Sequence, residues 1–469
     1  MNRKISILYV AAEISPYANA GGLGEVGRSF PQALSNRGDF EVRRVMPLYK
    51  GISKNLEYVT DFPVEMGKDY ETCIIKKDTM NTAIPTYFVE NARYFYRDSI
   101  YGFDDDGMRY FFFCKAVIEM MKKLSYEPDI VHTNDWHTGF LPLFLKKTFP
   151  HIKSVYTIHN ISYHGYIHPS YLDKILTQKE QFDLGWPGWL NFMKAGIIHS
   201  DLLTTVSPGY CDEIKQPAIS CGMSGIIEKR KNGIVGILNG IDTESYQPKQ
   251  EGEIEYPYDF GSIEIKKKNK SFLRSKYGLS DNDKPLIAMI TRLDYTKGID
   301  ALIKALSFVD MNSMQVVILG SGSAYYQSLL ANIAAGYPKS VAVDFEYSSL
   351  LAKQIYAAAD IYLMPSLFEP CGLGQLYAMR YGAVPIVNPV GGLKDTVCDD
   401  PENIEKSSGF YMEEWSGEAL AKAIERAVKT YQTPVWKKYI KNCMEFDSSW
   451  KHSVEEYVIR YEEVLKDKK

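Results

Sequence analysis

Short apolar runs alternate with helix-period stretches along almost the whole chain, and that alternation narrows the possible folds more than any other feature. Residues 5–12, 129–132, 154–158 and 202–206 read as strands, and residues 285–290, 315–319, 361–364 and 384–387 form a second series. Strands this short, spaced by helical patterns, mark parallel sheets joined by crossover helices. Residues 109–124 make a dense apolar helix suited to a core. The two series echo each other: Gly21-Gly22-Leu23 in the first matches Gly391-Gly392-Leu393 in the second, each a glycine turn opening a helix. The fold expected is α/β, with two doubly wound domains facing across a cleft. Open sheets of this kind bind ligands outside the carboxyl ends of their strands. The stretch 247–270 turns polar and charged, ending in the run from Lys266 to Lys270, and reads as a solvated inter-domain connection rather than a binding patch.

Several function classes fall away early. At roughly 100–200 residues per domain, 469 residues allow two to four domains. Lys and Arg number 54 against 58 Asp and Glu, so the chain lacks the basic footprint of a nucleic-acid binder. A hydrophobic fraction of 45% excludes wholesale disorder. The apolar run near the N-terminus is short, broken by Ser6 and followed by no cleavage motif, and no stretch approaches the ~20 apolar residues of a membrane span. Seven scattered cysteines without a CxxC spacing fit reduced thiols and a cytoplasmic location. The 34 tyrosines suit packing against sugar faces, or simply a tyrosine-rich core.

Five segments carry candidate chemistry. Asn19-Ala20-Gly21-Gly22-Leu23-Gly24 follows a strand and opens a helix, where backbone N–H groups can meet an anion; a plain tight turn is the alternative. Arg292 and Lys297 lie in the loop after residues 285–290, placed to neutralise a pyrophosphate. His132, Asp135 and His137, and separately Asp104 to Asp106, imitate metal sites, but neither set offers convincing third and fourth ligands. No metal or other cofactor is therefore expected. Glu369 sits in a rigid Phe368-Glu369-Pro370-Cys371-Gly372 turn, either to hold sugar hydroxyls or to cap the helix near 373–380. A GxxxxGK[ST] loop is absent, which removes the common nucleotide hydrolases.

Taken in order, these segments resemble bacterial glycogen synthases and plant starch synthases over essentially the whole chain. The resemblance rests on residues 129–137, 157–160, 194–196, 205–208, 236–242, 368–373 and 391–393, with Phe446 to Trp450, Tyr457 and Tyr461 closing the chain. It implies a GT-B fold and a retaining transfer of glucose from ADP-glucose or UDP-glucose to an α-1,4-glucan. The domains it implies are 1–246 on the acceptor side, 247–446 on the donor side, and a helix over 447–469 returning to the first domain. By resemblance Arg292 and Lys297 hold the donor phosphates with the Gly391 and Gly392 backbone, and Tyr347 stacks on the base. Glu369, His159 and Asn239 bind the transferred glucose. The donor set extends to Asn19, Gly21, Gly22, Cys371, Gly372, Leu373 and Val390. Asp135 and Tyr101 serve catalysis or the acceptor, the latter also met by His137 and Asn160.

The chain departs from the family pattern beside the donor site. Asn19 replaces a lysine, Leu367 an arginine, Val390 a threonine, and Asn388 a basic residue. Three positive charges are lost. A glucan-binding homologue with weakened catalysis is accordingly the alternative to an active synthase. A glucan phosphorylase, which needs pyridoxal phosphate and normally a much longer chain, is a weaker third.

Overall fold

The computed structural model describes residues 3–52, 55–80 and 83–466. It divides into two compact units, Met1–Gly240 with Trp450–Lys469, and Ile241–Ser449.

The first unit carries strands β1 (Ile5–Val10), β2 (Phe40–Pro47), β3 (Leu56–Met66), β4 (Asp69–Asp78), β5 (Thr86–Glu90), β6 (Ile130–Asn134) and β7 (Lys153–Ile158). It continues with β8 (Tyr166–Ile167), β9 (Gly185–Trp186), β10 (Trp189–Asn191), β11 (Leu202–Thr205) and β12 (Val235–Gly236). Among the described residues these form a nine-stranded sheet in the order β12-β11-β7-β6-β1-β2-β5-β4-β3 and a small sheet β8-β10-β9. The large sheet is parallel from β12 to β5, and the β3–β4 hairpin closes one edge antiparallel. Strand β1 lies between β2 and β6, so the strand order reverses there. That reversal is where open sheets of this type hold ligands.

The second unit repeats the plan with β13 (Leu286–Ile290), β14 (Gln315–Leu319), β15 (Val341–Asp344), β16 (Ile361–Met364), β17 (Val384–Val387) and β18 (Phe410–Tyr411). Their order, β15-β14-β13-β16-β17-β18, is all parallel and reverses between β13 and β16. This is the Rossmann order. Ile287 and Met289 face one core while Leu286 and Ala288 face another, so the sheet is buried on both sides. That double burial makes its strands read as continuous apolar runs.

The chain's end belongs to the first unit. The helix Lys451–Lys466 buries Val454, Tyr457, Val458 and Tyr461. It packs on the helix Gly22–Asn36, where Phe30 meets the rings of Trp450 at 5.2 Å and Tyr457 at 4.6 Å. Trp450 Nε1 donates to Ser29 Oγ at 2.8 Å. Each large apolar side chain buried this way stabilises the attachment by roughly 1.5–3 kcal/mol.

The stretch 247–270 is only partly solvated: Lys267 and Lys268 are exposed, but Lys266 and Lys270 are buried. Lys266 begins the helix Lys266–Tyr277, and its fully buried ammonium donates to the carbonyls of Tyr356, Ala357 and Tyr381 at 3.0, 3.1 and 2.9 Å. Lys270 pairs with Asp360 at 2.8 Å and donates to Tyr431. Burial pulls the Lys266 pKa down to about 7. Lys266 and Lys270 look solvated in sequence because their partners lie far along the chain. No helix among the described residues is long and apolar enough to cross a membrane.

Candidate functional site

In the second unit, every strand bordering the reversal delivers a polar loop from its carboxyl end. The loop after β13 carries Arg292 and, at the end of a short 3-10 turn, Lys297. The loop after β16 carries Ser366 and Glu369. Lys297 Nζ lies 2.6 Å from Glu369 Oε2, to which Ser366 Oγ also donates at 3.0 Å. The lysine and glutamate side chains are only 18% and 10% exposed, whereas Arg292 is 57% exposed with Asp294 at 3.7 Å. One cation is thus held in place and the other is free to reach.

Three glycines make this arrangement possible. A Cβ on Gly298 would come 2.1 Å from Pro365 O, one on Gly391 2.1 Å from Glu369 O, and one on Gly392 2.2 Å from Cys371 O. Gly298 and Gly391 also have φ of +75° and +45°, a region that favours glycine. The loops after β13, β16 and β17 therefore lock around Glu369. Glu369 does not cap the next helix: that helix is Gly374–Arg380, with Leu373 at its N-cap. Cys371 is buried, and Gly372, at φ +72°, leads into Leu373 while its carbonyl accepts from Gln375 Nε2. Tyr347, past the end of β15, presents an exposed ring.

The departures from the family pattern have local roles. Asn388 Nδ2 donates to Ser366 O at 2.9 Å, steadying the turn that carries Glu369. Leu367 is exposed, and its backbone N–H donates to Thr296 O. Val390 is partly buried against the unit's core.

The first unit gathers a second polar group at its own reversal. Asp135 follows β6 with φ +55° and ψ 178°, a strained conformation for a residue with a side chain. Its Oδ1 accepts the backbone N–H groups of His159, at 2.7 Å, and Asn160, at 3.1 Å, both just past β7. Burial pushes the Asp135 pKa up to about 7 against the pull of those two bonds, with Glu13 adding to the rise. Asn134 Nδ2 donates to Val10 O, so its Oδ1 accepts from Tyr9 OH and from His159 Nε2 at 2.9 Å. That arrangement leaves His159 Nδ1 an acceptor. Burial lowers the His159 pKa to about 3, so the ring is neutral. Asn160 Oδ1 accepts from Ser162 N.

Glu13, which the sequence shows only as the stop of the first strand, proves central. Its buried carboxylate accepts from the backbone N–H groups of Ala20 at 2.5 Å and Gly21 at 3.2 Å, and from Tyr101 OH at 2.5 Å. One side chain therefore ties the glycine loop to Tyr101. Tyr101 also stacks on His137 at 4.8 Å, and burial holds the His137 pKa well below its usual value. Gly22 opens the helix on that loop, and Asn19 Nδ2 donates to Glu25 Oε1 at 2.8 Å. Asn239, buried past β12, donates its backbone N–H to Val206 O. A charged residue ending a buried apolar run six positions before a glycine loop was the signal for Glu13.

His132 stands apart from this group. Its two nitrogens bond Tyr461 OH and Thr157 Oγ1, each at 2.7 Å, which makes it an anchor for the final helix. Asp105 pairs with Arg97 and Asp106 with Arg109, so neither carboxylate is idle.

Comparisons with known proteins agree over the full length. The family described as the starch synthase catalytic domain matches residues 6–229, and the one described as glycosyl transferases group 1 matches residues 271–443. Glycogen synthase of Moorella thermoacetica is 39% identical, covering 100% of this chain and 99% of the relative. Glycogen synthase of Geobacillus thermodenitrificans is 35% identical, with 98% of each covered. The solved catalytic domain of starch synthase IV from Arabidopsis thaliana, bound to ADP and acarbose, superposes with a TM-score of 0.92 at 29% identity, covering 99% of this chain and 100% of that one. Sucrose-phosphate synthase from Thermosynechococcus elongatus, at 16% identity and a TM-score of 0.66, shares the fold.

Proposed function

The chain belongs to the glycogen and starch synthase family, a GT-B glycosyltransferase, and from that premise we propose that it moves glucose from ADP-glucose to the non-reducing end of an α-1,4-glucan with retention of configuration. We assign the donor's diphosphate chiefly to the second unit and acceptor handling to the first. The observation that carries this reading is the Lys297–Glu369 pair, fixed where the second sheet's strand order reverses.

The chemistry fits those groups. As the glycosidic bond to phosphate breaks, negative charge grows on the leaving diphosphate and positive charge on the sugar. Lys297, Arg292 and the Gly391–Gly392 backbone answer the first; prepositioned charge of this kind stabilises the transition state more than the ground state. Glu369 answers the second, or holds the sugar's hydroxyls. Its Oε2 is already engaged by Lys297 and Ser366, which suits positioning rather than attack on the anomeric carbon. Transfer on the same face, assisted by the leaving group, then accounts for retention. In the first unit, neutral His159 offers Nδ1 as an acceptor to a sugar hydroxyl. Tyr101 and His137 present stacked rings, and Asn160 and Asp135 present polar atoms, to the acceptor.

UDP-glucose is the second donor reading, and weakened catalysis on a glucan binder the third. Both are motivated by Asn19, Leu367, Asn388 and Val390. Incubating the purified protein with glycogen and each donor in turn, while following nucleotide release, separates the three. Faster release with ADP-glucose and α-linked product detected by NMR supports the proposal. Preference for UDP-glucose, or glycogen binding without turnover, replaces it with the corresponding alternative.

A further inference from the structure

Strands β1, β6 and β7 run side by side to the reversal of the first sheet, and one buried amide joins their ends. Asn134, the last residue of β6, is 1% exposed. Its Nδ2 donates to Val10 O, at the end of β1, at 3.0 Å. A carbonyl only accepts, so the amide cannot be turned the other way. Its Oδ1 therefore faces Tyr9 OH at 3.1 Å and His159 Nε2 at 2.9 Å, and both must donate. In the neutral His159 ring the hydrogen sits on Nε2 and the lone pair on Nδ1. Nδ1 has no partner among the described residues and is not enclosed by protein, whereas Tyr9, Val10 and Asn134 are buried. The chain thus buries the ring's donor and leaves its acceptor open.

The amide has a carboxylate for a neighbour, which makes its selection informative. Asp135 turns to the main chain of the same histidine, accepting His159 N at 2.7 Å and Asn160 N at 3.1 Å. Consecutive residues therefore grip His159 twice, Asp135 by its backbone and Asn134 by its ring. A carboxylate on Nε2 would favour the imidazolium, which donates from both nitrogens and offers no acceptor. An amide oxygen fixes the same ring orientation without that charge. Charge on His159 would also work against His132 and His137, both within its field.

We infer that Asn134 is a positioning residue for glucose transfer: it fixes His159 as a hydrogen-bond acceptor, so that the site takes a hydrogen from a sugar hydroxyl and gives none. Buried as it is, Asn134 does not itself reach a sugar and acts through the ring. The inference rests on the proposed role of His159 in holding the glucose.

The test reads the ring directly. In the full-length protein, isotope-labelled at the histidine nitrogens, the His159 resonances are those missing from His159→Ala. The expected wild-type spectrum near neutral pH shows a protonated Nε2 and an unprotonated Nδ1. Asn134→Leu, similar in size but without a polar atom, should remove that preference and lower kcat/KM for the nucleotide-glucose about tenfold. Thermal melting checks that it folds. Added to His159→Ala it should cost less than about twofold, because its effect passes through the ring. A merely structural residue would lower kcat/KM by the same factor in both backgrounds, and that result overturns the proposal. So does a wild-type ring with its hydrogen on Nδ1 or on both nitrogens, a measurement that holds even where Asn134→Leu does not fold. Wild-type kinetics in Asn134→Leu or His159→Ala, beside an active wild type, overturn the proposal alone. A wild type inert toward glycogen with every nucleotide-glucose overturns the transferase reading and the proposal with it.

Discussion

Lys297 and Glu369, 72 residues apart in the chain, share a 2.6 Å ion pair that Ser366 completes from the same side. Both side chains are largely buried, so each depends on the other for its charge to be tolerated. Removing one partner of such a pair is costlier than removing both, because the survivor is left uncompensated. Lys297→Ala and Glu369→Ala should each lower unfolding free energy by roughly 3 kcal/mol, and the double variant by clearly less than the two together. Urea denaturation of the three variants checks this. In activity the two should part: Lys297→Ala raises KM for the donor and slows turnover, while Glu369→Ala cuts kcat about 100-fold with little change in KM.

Asn19 is the departure most open to reversal. It lies on the exposed glycine loop, donating to Glu25 rather than to anything buried. Asn19→Lys restores a cation there with Glu25 as its nearest competitor. The expected outcome is a KM for ADP-glucose about fivefold lower, modest because the position is exposed and salt-screened. The gain should shrink in high salt. An unchanged KM at low salt would remove this loop from the donor site.

Much of the fold is legible because its strands are buried on both faces: residues 361–364 read as one apolar block, and the strand is Ile361–Met364. The β3–β4 hairpin is not legible, since strands such as Leu56–Met66 alternate with Glu57, Asp61 and Glu65 and carry no parallel-sheet signal. Lys266 was misread, and Glu13 passed over, for one shared reason. A charged side chain looks solvated until the carbonyls or amides that satisfy it, distant in sequence, are brought to it. The roles given to Tyr347 and Asn239 came through family resemblance; their own neighbours in the chain say nothing of a nucleotide or a sugar.

Asp135 should leave a signature in the pH dependence of stability. Its folded pKa of about 7 lies above the ordinary carboxylate value, so its contribution is fully present in acid and is lost as pH rises toward 7. His132 and His159, both lowered to about 3, act oppositely: their contribution is present above about 6.5 and lost as pH falls. Two histidines outweigh one aspartate below 6.5, and the aspartate acts alone just above it. For these three groups together, stability should therefore peak near neutrality. Asp135→Asn keeps an oxygen to accept from His159 N and Asn160 N but cannot ionise. Its stability relative to wild type should grow between about pH 4 and 7, reaching about 4 kcal/mol. A gap that does not change with pH would show that Asp135 is ionised across that range.

The final helix should behave as part of the first unit. Tyr461 OH bonds His132 Nδ1 at 2.7 Å in a fully buried setting, and burial keeps that imidazole neutral. Tyr461→Phe removes one hydroxyl and leaves a ring nitrogen unsatisfied, which should cost about 1–3 kcal/mol. Truncation after Ser449 goes further. It uncovers Phe30 and deprives Ser29 of its bond from Trp450, exposing the apolar stripe of the helix Gly22–Asn36. That helix begins at the glycine loop held by Glu13, so loss of the tail should loosen Gly21 and Gly22 as well. Hydrogen exchange can follow both ends of this connection in one experiment. Faster exchange should appear in residues 20–36 of the truncated chain, while residues 286–290 and 315–319 of the second unit keep wild-type protection. Equal loss of protection in the two units would mean that they unfold as one body and that the tail's contribution is not confined to the first.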